Sequence, residues 1–91
     1  MTTMTVAQHP YSVLEKIGNA IIVIDYEADT ATVTSNEANL HVKLANINRY
    51  SSPLFNVRIG MSRHGYRLGT IEACGGVYHA DVYKRLHMQA A

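Results

Sequence analysis

The chain has no tryptophan, one phenylalanine and one cysteine, Cys74, among its 91 residues. A single thiol forms no intrachain disulfide. Secreted domains of this size ordinarily need such staples, so a reducing, cytoplasmic setting is expected. The longest uninterrupted apolar run, Ala20-Ile21-Ile22-Val23-Ile24, is far too short to cross a bilayer, and no membrane partner is expected. Met1 to Gln8 lacks a basic stretch followed by an apolar one, so no signal peptide is expected. Charged residues make up only 16% of the chain against 47% hydrophobic, too apolar a balance for a disordered chain.

The length suits one domain, residues 1–91, with 1–9 expected to be flexible. A chain this short buries about 60–65% of its extended surface, so its core is thin. The net charge of +1 conceals two halves of opposite sign. Residues 1–50 set Glu15, Asp25, Glu27, Asp29 and Glu37 against Lys16, Lys43 and Arg49, a balance of −2. Residues 51–91 set Arg58, Arg63, Arg67, Lys84 and Arg85 against Glu72 and Asp81, a balance of +3. Such a molecule can turn an acidic and a basic face to different partners; chance clustering in a short chain gives the same result.

Local patterns predict an α+β domain of order α-β-β-α-β-β-α. Pro10 suits a first helical turn, Val13, Leu14 and Ile17 share a helical face, and Gly18-Asn19 is a stop. Ala20 to Tyr26 reads as a covered strand. Thr30 to Ser35 alternates threonine with Ala31 and Val33, giving a hairpin over 20–35. Residues 36–50 read two ways. Leu40, Val42 and Leu44 alternate with His41 and Lys43 as in a strand, but a Ser35 or Asn36 cap and the Leu40, Leu44, Ile47 stripe favour a helix.

After the Ser51-Ser52-Pro53 break, a second hairpin is expected over 54–73, turning at His64-Gly65. It places Phe55, Val57, Ile59 and Met61 on one face and Arg58 and Arg67 on the other, around a Gly60–Gly69 pair. Residues 77–89 again read as strand or helix. The i, i+4, i+8 line of Tyr78, Val82 and Leu86 and the Asp81–Arg85 pair favour the helix. Both hairpins then form one antiparallel sheet with helices packed on one face. The two ββα halves share a period of thirty-five positions, with negligible identity.

No motif carries catalysis. The glycines match neither a phosphate-binding loop nor a dinucleotide fingerprint. Cys74, His79 and Asp81 lack the paired ligand spacing of a zinc site, and a thiol nucleophile at Cys74 needs a cleft that so small a domain rarely builds. No metal, cofactor or enzymatic activity is expected. The basic set is the candidate partner-binding surface: Arg58, Arg63, His64, Tyr66, Arg67, Lys84 and Arg85. Arginines mixed with aromatic rings suit contact with a macromolecule; a solvated polar face is the plain alternative. Six tyrosines point the same way, or to the edge of a small core.

The function expected is that of a non-enzymatic protein-binding module that occludes or bridges a larger assembly, a nucleoprotein complex included. In size and character the chain is similar to the small inhibitors with which phages and mobile elements block host defence, anti-CRISPR proteins among them. That likeness covers no motif. A nucleic-acid binder using Arg58, Arg63 and Arg67 is the alternative, and a homodimer completing its thin core across subunits is a third reading.

Overall fold

A computed structural model describes residues 11–88, with side chains described from Val13 to Leu86. Six strands and one helix follow in the order β1 (Tyr11–Asp25), β2 (Thr30–Ser35), β3 (Leu40–Ala45), α1 (Pro53–Arg63), β4 (Tyr66–Leu68), β5 (Glu72–Cys74) and β6 (Val77–Met88). All strands belong to one antiparallel sheet ordered β3-β2-β1-β6-β4, with β5 also paired to β6. The sheet curls into a half-barrel. Helix α1 lies against both β4 and β3, the two ends of the strand order, and so closes the open side.

This mostly β architecture overturns the expected α-β-β-α-β-β-α arrangement with helices layered on a two-hairpin sheet. The segment after Pro10 is strand, not helix, because β1 has a full-length partner. It pairs with β6 from Tyr11↔Met88 to Ile22↔Tyr78. The register slips between Lys16 and Gly18, leaving Ile17 as a bulge packed against the core. Without that extra residue, Val13 and Glu15 would lie on the face opposite Ala20 and Ile22. Gly18 sits where a Cβ would come 3.1 Å from Glu37 Cβ and 3.3 Å from Ser35 Oγ. Close approach, rather than helix termination, explains this glycine.

The hairpin over 20–35 is present, pairing Ile21↔Thr34 through Asp25↔Thr30. Asp25 Oδ1 accepts the N–H groups of Glu27 and Ala28 in its turn, and Asp29 closes it at φ 55°. The next turn repeats the device: Ser35 Oγ accepts the Ala38 N–H, and Asn39 closes at φ 50°. Ser35 therefore serves a β-turn instead of capping a helix over 36–50. The strand reading of that segment prevails, with Leu40, Val42 and Leu44 buried and His41 and Lys43 exposed.

The hairpin expected over 54–73 is replaced by α1 and β4. Pro53 starts the helix, its fixed φ suiting the first turn, where an N–H has no partner to lose. Val57 and Met61, four residues apart, are fully buried, whereas Phe55 and Ile59, also four apart, face outward. A period of two merges these stripes into one false core face. Gly60 packs on Leu44, where a Cβ would lie 2.8 Å from Leu44 Cδ2, and does not pair with Gly69. The thirty-five-residue period thus joins strand positions to helical ones and marks no structural repeat.

Residues 77–88 are strand as well. Gly75 and Gly76, at φ 61° and 83°, make the tight turn that joins β5 to β6. Ala80 and Val82 then enter the core, with Tyr78 packed against it. The conflict that favoured a helix disappears once Phe55 and Ile59 leave the core. Asp81 pairs with Lys16 at 3.4 Å and accepts from Asn19 Nδ2 at 2.8 Å, so it has no helical partner in Arg85. Residues 1–9, expected to be flexible, lie outside the described residues. Among the described residues, no helix is long and apolar enough to cross a membrane.

The two helical stripes give a direct test by urea unfolding. Met61→Ala should cost about 2–5 kcal/mol through the cavity it leaves. Phe55→Ala should change stability by less than about 0.5 kcal/mol, as a surface change does. Equal losses at both sites would contradict this packing.

Candidate functional site

The structure divides the basic set between the two flanks of α1. On the β4 flank, Arg58, Ser62, Tyr66, Arg67, Leu68 and Arg85 line a cleft of about 320 Å³. Four of the expected residues therefore do converge, but across a helix–strand junction and not on a β-ribbon. Arg63 and His64 fall on the other flank, where α1 faces β3. Lys84 is exposed on β6, directly opposite Tyr66 in the ladder.

Arg58 is already occupied. Its Nη1 donates to the Leu68 carbonyl at 2.9 Å and its Nη2 to the Gly69 carbonyl at 2.8 Å. The half-buried guanidinium thereby satisfies acceptors at the end of β4, an edge strand, and ties the helix to the sheet. Arg85 makes a longer contact, Nη2 to Ser62 Oγ at 3.5 Å, and its backbone N–H reaches the Gly65 carbonyl at 3.2 Å. Arg67 is exposed, opposite Tyr83. The cleft thus holds one fastened and two freer arginines around a tyrosine. Such an arrangement suits anionic groups.

The α1–β3 flank is different. Its groove, about 400 Å³, is floored by Leu44, Ile47, Ile59 and Gly60 and rimmed by Lys43 and Arg63. No acidic side chain lines it. Beside it, α1 presents Phe55 at 61% exposure and Ile59 at 37%, and the preceding turn presents Tyr50 at 89%. Arg49 lies 5.5 Å from the Tyr26 ring centre and 6.0 Å from that of Tyr50, over both rings. The outer sheet face adds Ile21 and Val23, both exposed.

Phe55, Ile59 and Tyr50 were not among the residues expected to bind a partner. The signal that finds them is the helical offset: once Pro53 begins a helix, Val57 and Met61 take the buried stripe, leaving Phe55 and Ile59 outside. Cys74 is exposed near the β5–β6 turn, with Glu72 opposite His79. Among the described residues, no three His, Cys, Asp or Glu side chains are grouped to hold a metal ion. No family model, curated protein or solved structure matches the chain.

The two arginines of the β4 cleft should behave oppositely in thermal or urea unfolding. Arg58→Ala removes two charge-assisted hydrogen bonds to backbone carbonyls and should cost about 1.5–3 kcal/mol. Arg67→Ala, at an exposed position, should cost less than about 0.5 kcal/mol. A neutral Arg58→Ala would mean that the guanidinium is not what ties α1 to β4.

Proposed function

We propose that this protein is a non-enzymatic protein-binding module that occludes or bridges a larger assembly, in the manner of a small inhibitor. The observation that supports this reading is the apolar strip on α1. Phe55 and Ile59 stand exposed four residues apart on the helix, and Ile59 lines a groove together with Arg63. Large exposed side chains are ordinary when scattered. An aromatic and an aliphatic group aligned on a helix, with a basic residue at the rim, have the composition of interface centres. The docking surface is therefore drawn around α1, with Arg63 and His64 retained and Arg58 assigned to the fold.

A second reading rests on the other flank. Arg67, Arg85 and Tyr66 meet in one cleft, a set that would suit a phosphate backbone and a stacked base. Its mark would be an affinity that falls steeply with salt, as counterion release requires.

Affinity capture from the source cell, with nuclease added and omitted, separates the two. A protein partner should be retained with nuclease present and lost with Phe55→Ser/Ile59→Ser, while Arg67→Ala/Arg85→Ala leaves it bound. Capture that disappears with nuclease, or with the arginine pair alone, would favour the nucleic-acid reading. Capture unchanged by either double substitution would remove both surfaces from consideration.

A further inference from the structure

The two ends of the sheet are finished differently. At β4 the Arg58 guanidinium occupies the Leu68 and Gly69 carbonyls, and Gly69 continues the ladder by donating to Asp81 at 2.8 Å. At the far end, β3 has a neighbour on one side only among the described residues. In an antiparallel pair every second residue turns its N–H and C=O away from the partner strand. Among the described residues, no side chain and no other backbone group bonds to the outward groups of Leu40–Ala45. A free edge of this kind is a template for another strand.

What lies along that edge is a preformed groove. Helix α1 touches β3 where Gly60 meets Leu44, and the groove opens beside that contact, lined by Ile59 and Arg63 from the helix and by residues 43–47 from the end of the strand. The missing side chain at Gly60 lets the helix settle directly on Leu44. Edge strand plus flanking helix is the layout in which extended peptides bind by strand addition, main-chain bonds supplying affinity and side-chain pockets supplying selectivity. Lys43 and Arg63 at the rim, with no acidic residue in the lining, set the charge of whatever enters.

The geometry points to an extended, acidic peptide segment of a partner protein, added as a seventh strand at the edge of β3 under the flank of α1. The inference rests on the protein-binding reading and assigns it a binding mode and a partner chemistry. The peptide's backbone pairs with β3, its apolar side chains meet Ile59 on the α1 face, one carboxylate meets Lys43 on the opposite face and another meets Arg63 at the groove rim.

Selection of a random dodecapeptide library on the full chain tests this. Enriched sequences should alternate Asp or Glu with β-branched residues, and the bound peptide should slow hydrogen exchange of amides within Leu40–Ala45. Lys43→Glu/Arg63→Glu, both at exposed positions, should weaken binding tenfold or more. A peptide with lysine in place of its acidic residues should regain affinity for that variant. Neutral or basic winners, protection confined to Phe55 or the outer sheet face, or equal binding to the charge-reversed chain would overturn the binding mode while leaving a protein-binding module. An oligonucleotide that protects the same amides would overturn it in favour of nucleic acid. Failure to enrich any peptide would overturn the mode, and the nuclease-treated capture then decides separately whether the broader reading survives.

Discussion

β1 meets β6 over nearly its whole length, from Tyr11 against Met88 to Ile22 against Tyr78, and every other strand depends on that ladder. At Ile21 and Ile22 the same strand is paired on both sides, to β6 and to β2, so the two halves of the chain join there. β4 and β5 have no partner except β6. The pairing links the two ends of the described chain and must be established against a large loop-closure entropy, which short hairpins avoid. Its fifteen residues also set the shape. At about 3.4 Å per residue β1 spans about 50 Å, and the molecule measures 55 × 25 × 19 Å.

The ladder works only because of a local irregularity. Ile17 is the extra residue that restores phase, so that Val13 and Glu15 share the face of Gly18, Ala20 and Ile22. On the opposite strand their partners Ala80, Val82, Lys84 and Leu86 fall at every second residue without interruption. A bulge in one strand of a long pair also sharpens twist, consistent with a sheet that curls until α1 can reach β3 and β4 together. The small residues Ala20, Ala31 and Ala80 line this curled interior. They leave room for Ile47, Val57 and Met61, the bulk supplied by α1 and the segment leading to it.

What was legible in the sequence was short-range. The hairpin over 20–35 could be read because its turn chemistry and its alternation lie within a few residues of each other. Strands β3 and β6 were visible as alternation but lost to helical stripes that the same residues also satisfy: Leu40 and Leu44 are i, i+4 to each other, as on a helix, and each is two residues from Val42, as on a strand face. Only the partner strand decides between those periods, and for β6 the long partner, β1, lies at the other end of the described residues. α1 was missed for the converse reason. Phe55, Val57, Ile59 and Met61 fit one strand face, and no local signal says that two of them face water. The site followed the fold. Arg58, Tyr66, Arg67 and Arg85 share a cleft, yet Arg58 is committed to Leu68 and Gly69, which composition cannot reveal.

An edge strand left open is a hazard, because it invites pairing with any exposed strand. β4 shows that this chain has a way of closing an edge: an arginine on the helix reaches over and occupies the carbonyls. At β3 the equivalent position of α1 carries Ile59 and Gly60 instead, groups that can neither donate to nor cover the strand. Lys43 puts an exposed positive charge on this edge, the kind of residue that opposes pairing with a like-charged strand. The asymmetry therefore has a physical meaning. One end of the sheet is fastened so that α1 is held in place, and the helix, once held, forms one wall of a groove at the other end.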